Sequence, residues 1–107
     1  KGNVMADLAK IRREAVRWMI LLTLNNASPV GAFESIVLSV VQAEYPDATQ
    51  DEVRKNLDYL EKRNLISVHK HPDGRWFCEL ERYGMDVVEY TVDVEPGIAR
   101  PVKYFNA

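Results

Sequence analysis

Pro72-Asp73-Gly74 stands between two runs in which apolar and polar residues alternate, residues 65–71 and 75–81, and a tight β-hairpin is what such a pattern dictates. Two loop lengths compete for the turn. A three-residue loop with Gly74 left-handed sets His71 opposite Arg75, Lys70 opposite Trp76, Val68 opposite Cys78 and Ile66 opposite Leu80. One face then gathers Ile66, Val68, Trp76, Cys78 and Leu80, whereas a two-residue loop splits the same residues between both faces. The three-residue loop is therefore expected, with Ser67, His69, His71, Arg75, Phe77 and Glu79 on the open face.

The rest of the chain reads as helix. Val4, Leu8, Ile11, Ala15, Trp18 and Leu22 recur at spacings of three and four, the period of a buried helical stripe, and predict a first helix ending near Asn25. Asn26, Ser28, Pro29 and Gly31 break that pattern, leaving room for a very short strand at residues 28–30. Ile36, Val37, Val40, Val41 and Tyr45 predict a second helix over residues 32–45, stopped by Pro46. Thr49 with Glu52 three residues later is a capping box, and Val53, Leu57 and Leu60 follow as a stripe, so a third helix is expected over residues 50–63. Asn64 suits the left-handed residue that closes it. Tyr83, Val87, Val88 and Tyr90 predict a fourth helix of two or three turns despite Gly84. Pro96, Gly97 and Pro101 exclude regular helix from the tail, where Ile98, Val102, Tyr104 and Phe105 are apolar enough to pack on something.

Composition narrows the class. With 107 residues and 47% hydrophobic content, the expectation is one domain over residues 1–107, with an N-terminal helix extension at about 1–11 and an irregular tail at about 94–107. Cys78 is the single cysteine, which points to a reducing compartment such as the cytosol. The most apolar run, residues 16–24, is too short for a membrane span, and residues 1–24 do not end in a small-residue cleavage site, so no signal peptide is expected. A balance of 14 basic and 16 acidic residues, net −2, argues against strong phosphate binding, which lysine and arginine supply.

Helix, short extended piece, helix, turn, helix, hairpin, helix is the order of a winged helix-turn-helix, a mainly α fold with a small β-hairpin wing. The phrase TQDEVRKNLDYLEKRNLI, residues 49–66, resembles the segment of bacterial winged-helix regulators in which the presented helix runs into the wing. Through VRWMILLTLNNASPVGAFESIVLSVV, LDYLEKRNLISVH, ERYGMDVVEYTVD and EPGIARP the chain resembles the small winged-helix proteins of Mu-like prophages. That resemblance implies a phage or prophage origin and a DNA-binding fold, and assigns no role to any residue.

On the third helix, Gln50, Arg54, Asp58 and Glu61 form an exposed stripe flanked by Lys55, Asn56 and Lys62. In a major groove Arg54 would read a base, and Gln50 and Asn56 would pair with adenine. Against this, Asp51, Glu52, Asp58 and Glu61 cancel Arg54, Lys55, Lys62 and Arg63, so DNA contact and an ordinary solvated face both stay open. The wing offers Lys70, Arg75, His69, His71 and Phe77 for a phosphate backbone, or a solvated hairpin. His69 and His71 share a face that Cys78 does not, so no metal site is expected. Met5, Leu8 and Ile11, with Ile98 of the tail, form the expected interface of a homodimer, which would pair two presented helices on double-stranded DNA. Isolated glycines and the lack of a nucleophile beside a base leave no enzyme, no cofactor and no small-molecule substrate in view. The expected function is a DNA-binding regulator of phage type acting as a dimer in the cytoplasm. The alternative is a protein-interaction or assembly module that never touches nucleic acid.

Overall fold

A computed structural model describes residues 4–103 of the chain, in the order α1 Val4–Ala27, β1 Ala32–Phe33, α2 Glu34–Glu44, α3 Gln50–Lys62, β2 Ile66–Lys70, β3 Trp76–Leu80 and α4 Arg82–Val88. The molecule is mainly helical, with one small antiparallel sheet of order β1-β3-β2. Val16, Ile20, Leu21 and Leu24 of α1, Val37 and Val41 of α2, Val53, Leu57 and Leu60 of α3, Cys78 of β3 and Val87 of α4 fill the core and have no contact with solvent.

The local signals set the elements they belong to. The Thr49 hydroxyl accepts from the Glu52 N–H at 3.2 Å, which starts α3. Asn64 closes it with φ 65°. In the hairpin, Ile66 faces Leu80, Val68 faces Cys78 and Lys70 faces Trp76, the register that collects the apolar residues on one side. His71 N–H donates to the Arg75 carbonyl at 2.8 Å, and Gly74 takes φ 93° at the tip.

Three expectations need correction. Of the stripe Val4, Leu8, Ile11, Ala15, Trp18 and Leu22, Trp18 packs half-buried against the core and the N-terminal part does not. Val4, Leu8 and Ile11 are 69%, 53% and 60% exposed, because α1 is apolar on two sides and α2 and α3 pack against the other one. The short strand forms at Ala32–Phe33 instead of residues 28–30: Gly31, with φ 93°, passes so close to β3 that an added Cβ would meet the Cys78 carbonyl at 2.6 Å. Ala32 then pairs with Cys78 and Phe33 with Phe77. Phe77 is consequently only partly open to solvent, since the Phe33 ring meets it edge to face at 4.9 Å.

The tail folds back over α1, α3 and α4. Ile98 is buried in the chain's own core, which removes it from the expected dimer interface. Ala99 N–H donates to the Glu14 carbonyl at 3.1 Å, and Arg100 donates to the carbonyls of Val87 and Val92 at 2.9 and 2.8 Å. Gly84 is required where α4 crosses the entry to the hairpin, because an added Cβ would sit 2.2 Å from the Leu65 carbonyl. Of the apolar tail residues, Val102 is exposed, and Tyr104 and Phe105 lie outside the described residues.

Candidate nucleic-acid interface

Helix α3 buries Val53, Asn56, Leu57 and Leu60. The spacing of a helix therefore puts Asp51, Lys55, Asp58 and Lys62 on the opposite, outermost ridge, a line that alternates in sign. To either side of this ridge lie two flanks of different character, one against the hairpin and one against α1.

The hairpin flank is organised by Glu34. This carboxylate lies in the first turn of α2, where the helix dipole favours an anion, and it is buried. Arg54 reaches it from α3 with Nε 2.9 and 2.7 Å from its two oxygens and with Nη2 in close contact as well. The same guanidinium donates to the Gly74 carbonyl at the hairpin tip, 2.6 Å away, and lies 4.3 Å from the Trp76 ring centre. These hydrogen bonds to Glu34 raise the Arg54 pKa above its ordinary value. Gln50 Nε2 also points at Glu34, at 3.4 Å. Arg54, expected to read a base, is thus engaged inside the fold, whereas Gln50, expected to pair with adenine, stays exposed with this one long bond.

The remaining cations of this flank are paired too. Lys70 lies 3.5 Å from Asp58 and 4.4 Å from the Trp76 ring centre. Arg75 bonds Asp73 at 2.8 Å and packs 4.6 Å over Phe33. Glu61 accepts from the Val68 N–H at 3.2 Å, and His69 meets Glu79 at 3.2 Å. Arg54, Lys70 and Arg75 stand against Glu34, Asp58, Glu61, Asp73 and Glu79, so carboxylates outnumber cations here.

On the α1 flank the balance is reversed. Asn56, expected beside the exposed stripe, is buried under α1: its side chain accepts from Arg17 Nε at 2.9 Å and donates to the Glu52 carbonyl at 3.0 Å. It is excluded from base reading. Arg17 also donates to the Gly97 carbonyl at 2.9 Å and stacks 3.4 Å from the Tyr59 ring centre, with Arg63 stacked at 3.7 Å. Desolvation, followed by smaller electrostatic effects, lowers the Arg17 pKa. Arg12 holds Glu52 through two bonds of 2.8 Å and Asp47 at 3.0 Å, which draws the Asp47 carboxyl below its usual value. Lys55 pairs with Asp51 at 3.3 Å along the ridge.

On this flank Lys10, Arg13, Arg17 and Arg63 have no carboxylate within 4 Å, as is also true, elsewhere among the described residues, of Lys62, Arg82, Arg100 and Lys103. A groove of about 280 Å³ runs between α1 and α3, lined by Arg13, Arg17, Lys55 and Tyr59 with Thr49, Asp51, Glu52 and Asn56. Lys10, Arg12, Arg13, Arg17, Lys55 and Arg63 stand against Glu14, Asp47, Asp51, Glu52 and Glu95, which shares a pocket with Arg63, leaving an excess of one cation. The sequence ranks the hairpin side first, yet Lys55 of the expected contacts lines this groove, and the most positive stretch of the chain is α1, whose arginines are open to phosphate contact though pairing with a second copy is preferred there. The cluster Lys10, Arg12, Arg13 and Arg17 was the available signal.

Burial pushes the Cys78 thiol up to about 12, helped by Glu34 and Glu61, so it stays protonated and acts as core packing. Among the described residues no group of three His, Cys, Asp or Glu side chains is placed to hold a metal ion, and no helix is long and apolar enough to cross a membrane. No protein-family model, no curated protein and no solved structure matches the chain.

Proposed function

We propose that this chain is a winged-helix DNA-binding domain of phage type, serving transcriptional regulation, that grips the phosphate backbone of duplex DNA along the α1 flank of α3. The order of helices and hairpin supports the winged-helix arrangement. The observation that carries the binding reading is the set of cations left without carboxylates, Lys10, Arg13, Arg17 and Arg63, beside an exposed helix. Each free cation that replaces counterions on a phosphate adds affinity that falls with salt. Arg54 and Asn56 are held inside the fold and Gln50 alone of the three stays exposed, so base discrimination through them is weak and affinity comes mainly from the backbone.

The test is fluorescence anisotropy of a labelled mixed-sequence duplex titrated with the protein at several salt concentrations. Binding should weaken steeply with salt. Replacing Arg13 and Arg63 together by Gln should reduce the slope of log affinity against log salt by about two, and Lys70→Ala should change it by less than one. No binding at low salt, or a larger loss from Lys70 than from the arginine pair, would sink the proposal.

One observation favours a second reading. The ridge Asp51, Lys55, Asp58 and Lys62 alternates in sign and carries no net charge, a pattern that suits a protein surface better than a phosphate chain. A protein-interaction module is accordingly the reading to adopt if the duplex is not bound.

A further inference from the structure

We propose that the outward face of α1 is the seam of a parallel coiled coil whose other strand is a second copy of this chain. The inference is independent of DNA binding. It starts from the two apolar faces of α1. One holds Val16, Ile20, Leu21 and Leu24 and is consumed by the core. The other holds Val4, Leu8, Ile11, Ala15, Trp18 and Leu22, roughly half a helical turn away.

The second face has the spacing 4-3-4-3-4, the alternation of a heptad seam, in which each four and three together make the seven-residue repeat that lets two helices stay in register as they wrap around each other. An ordinary core-facing helix needs no such regularity, and the core face of α1 does not have it. In heptad terms Leu8, Ala15 and Leu22 take position a, and Val4, Ile11 and Trp18 take position d. From Val4 to Ile11 the seam is open to solvent. At Trp18 the Tyr90 ring stands edge-on at 6.4 Å, which confines the contact to the stretch from Val4 to Ala15, about two heptads.

Two heptads alone rarely hold a coiled coil, because most of the association energy is spent on forming the helices. Here α1 is already anchored by its lower half, so pairing orders little that is not ordered before. The body of the domain sits on the far side of α1, and two bodies therefore point away from each other across the seam.

Charge selects the direction and the occupant. The g edge carries Asp7 and Glu14, while the e edge carries Arg12 and Met19 and no acid. A parallel pair sets each acidic edge beside the acid-free edge of the other copy. An antiparallel pair over the same stretch sets the acidic edges together, Glu14 beside Asp7, and leaves Arg12 beside Met5. Arg12 keeps its own carboxylates, Glu52 and Asp47, so the gain from the parallel direction is avoided repulsion. A second copy supplies the same apolar spacing layer for layer.

Sedimentation of the full chain across the micromolar range tests the proposal. A monomer–dimer equilibrium is expected, and Leu8→Glu with Ile11→Glu should raise its dissociation constant by more than about 100-fold while the melting curve, taken at a concentration where the parent chain is monomeric, stays unchanged, since both positions are exposed in the single chain. Leu8→Cys should oxidise to a covalent dimer, because position 8 meets position 8 only in the parallel pair; Cys78 is buried and does not compete. A monomer at every concentration overturns the proposal, as does a dimer that survives the double glutamate variant. A dimer abolished by that variant but not bridged by Leu8→Cys overturns the parallel direction.

Discussion

The two flanks of α3 use the same residue types to opposite ends. On the hairpin side, arginine and lysine are spent on holding the fold together: Arg54 joins α2, α3 and the hairpin tip, and Lys70 and Arg75 lie against Asp58 and Asp73. On the α1 side, arginines stack on Tyr59 and bind backbone carbonyls, contacts that leave their charge uncancelled. A count of basic residues on a helix is thus a poor guide to its potential. What matters is whether the partner of each cation is a carboxylate or a neutral group.

The largest effect that would break this contrast is expected from Glu34→Ala. It leaves the Arg54 guanidinium without its anion in a partly dry site, and stability should fall by about 3 kcal/mol, which for a domain of this size is on the order of 15 °C in the melting temperature. Thermal and urea unfolding measure it; a loss under about 1 kcal/mol would mean that stacking on Trp76 alone holds Arg54. Next comes Gly97→Ala on the other flank. Gly97 has φ 108°, and an added Cβ would lie 2.0 Å from the Tyr59 hydroxyl. The tail should lift from Arg17 and Tyr59 at a cost of about 2 kcal/mol, seen in urea unfolding and as faster amide exchange at Ala99.

The smallest effect sharpens the contrast at the hairpin tip. The Asp73 carboxyl is lowered from 3.8, first by the Arg75 N–H and then by the Arg75 guanidinium. A carboxyl depressed in the folded state contributes stability above its unfolded value, and loses that contribution as the pH falls through the folded one. NMR titration should place Asp73 below 3.8, and Arg75→Ala should move it back up. No movement in that variant would show that the Arg75 backbone N–H alone sets the shift.

Features fixed by neighbours in sequence were legible before the structure. The Thr49 cap, the Asn64 stop and the hairpin register each depend on a few adjacent residues, and each is found in place. What was not legible depends on which surfaces meet. Helix α1 offers two apolar faces, and periodicity alone cannot say which one the core takes. Asn56 looks like a surface residue until Arg17 is seen above it, thirty-nine positions away. Glu34 gave no sign of its importance, because a carboxylate in the first turn of a helix is ordinary and its partner lies twenty residues on. Ile98 sits among prolines and glycine, a composition that gives no direction for its side chain. The candidate site was half legible: the helix was identified, and its α1 flank was seen in Lys55 and the arginines of α1 but ranked behind the hairpin.

Arg54 has one further consequence. Its bond to the Gly74 carbonyl ties the tip of the hairpin to the carboxylate at the start of α2. A hairpin tip ordinarily frays by itself, and its amide protons exchange with solvent at little cost. Here fraying must also release an arginine from a buried anion, so the hairpin, α3 and the first turn of α2 open together as one cooperative piece. The protection of the His71 amide, which donates to the Arg75 carbonyl, should follow that of the middle of α3.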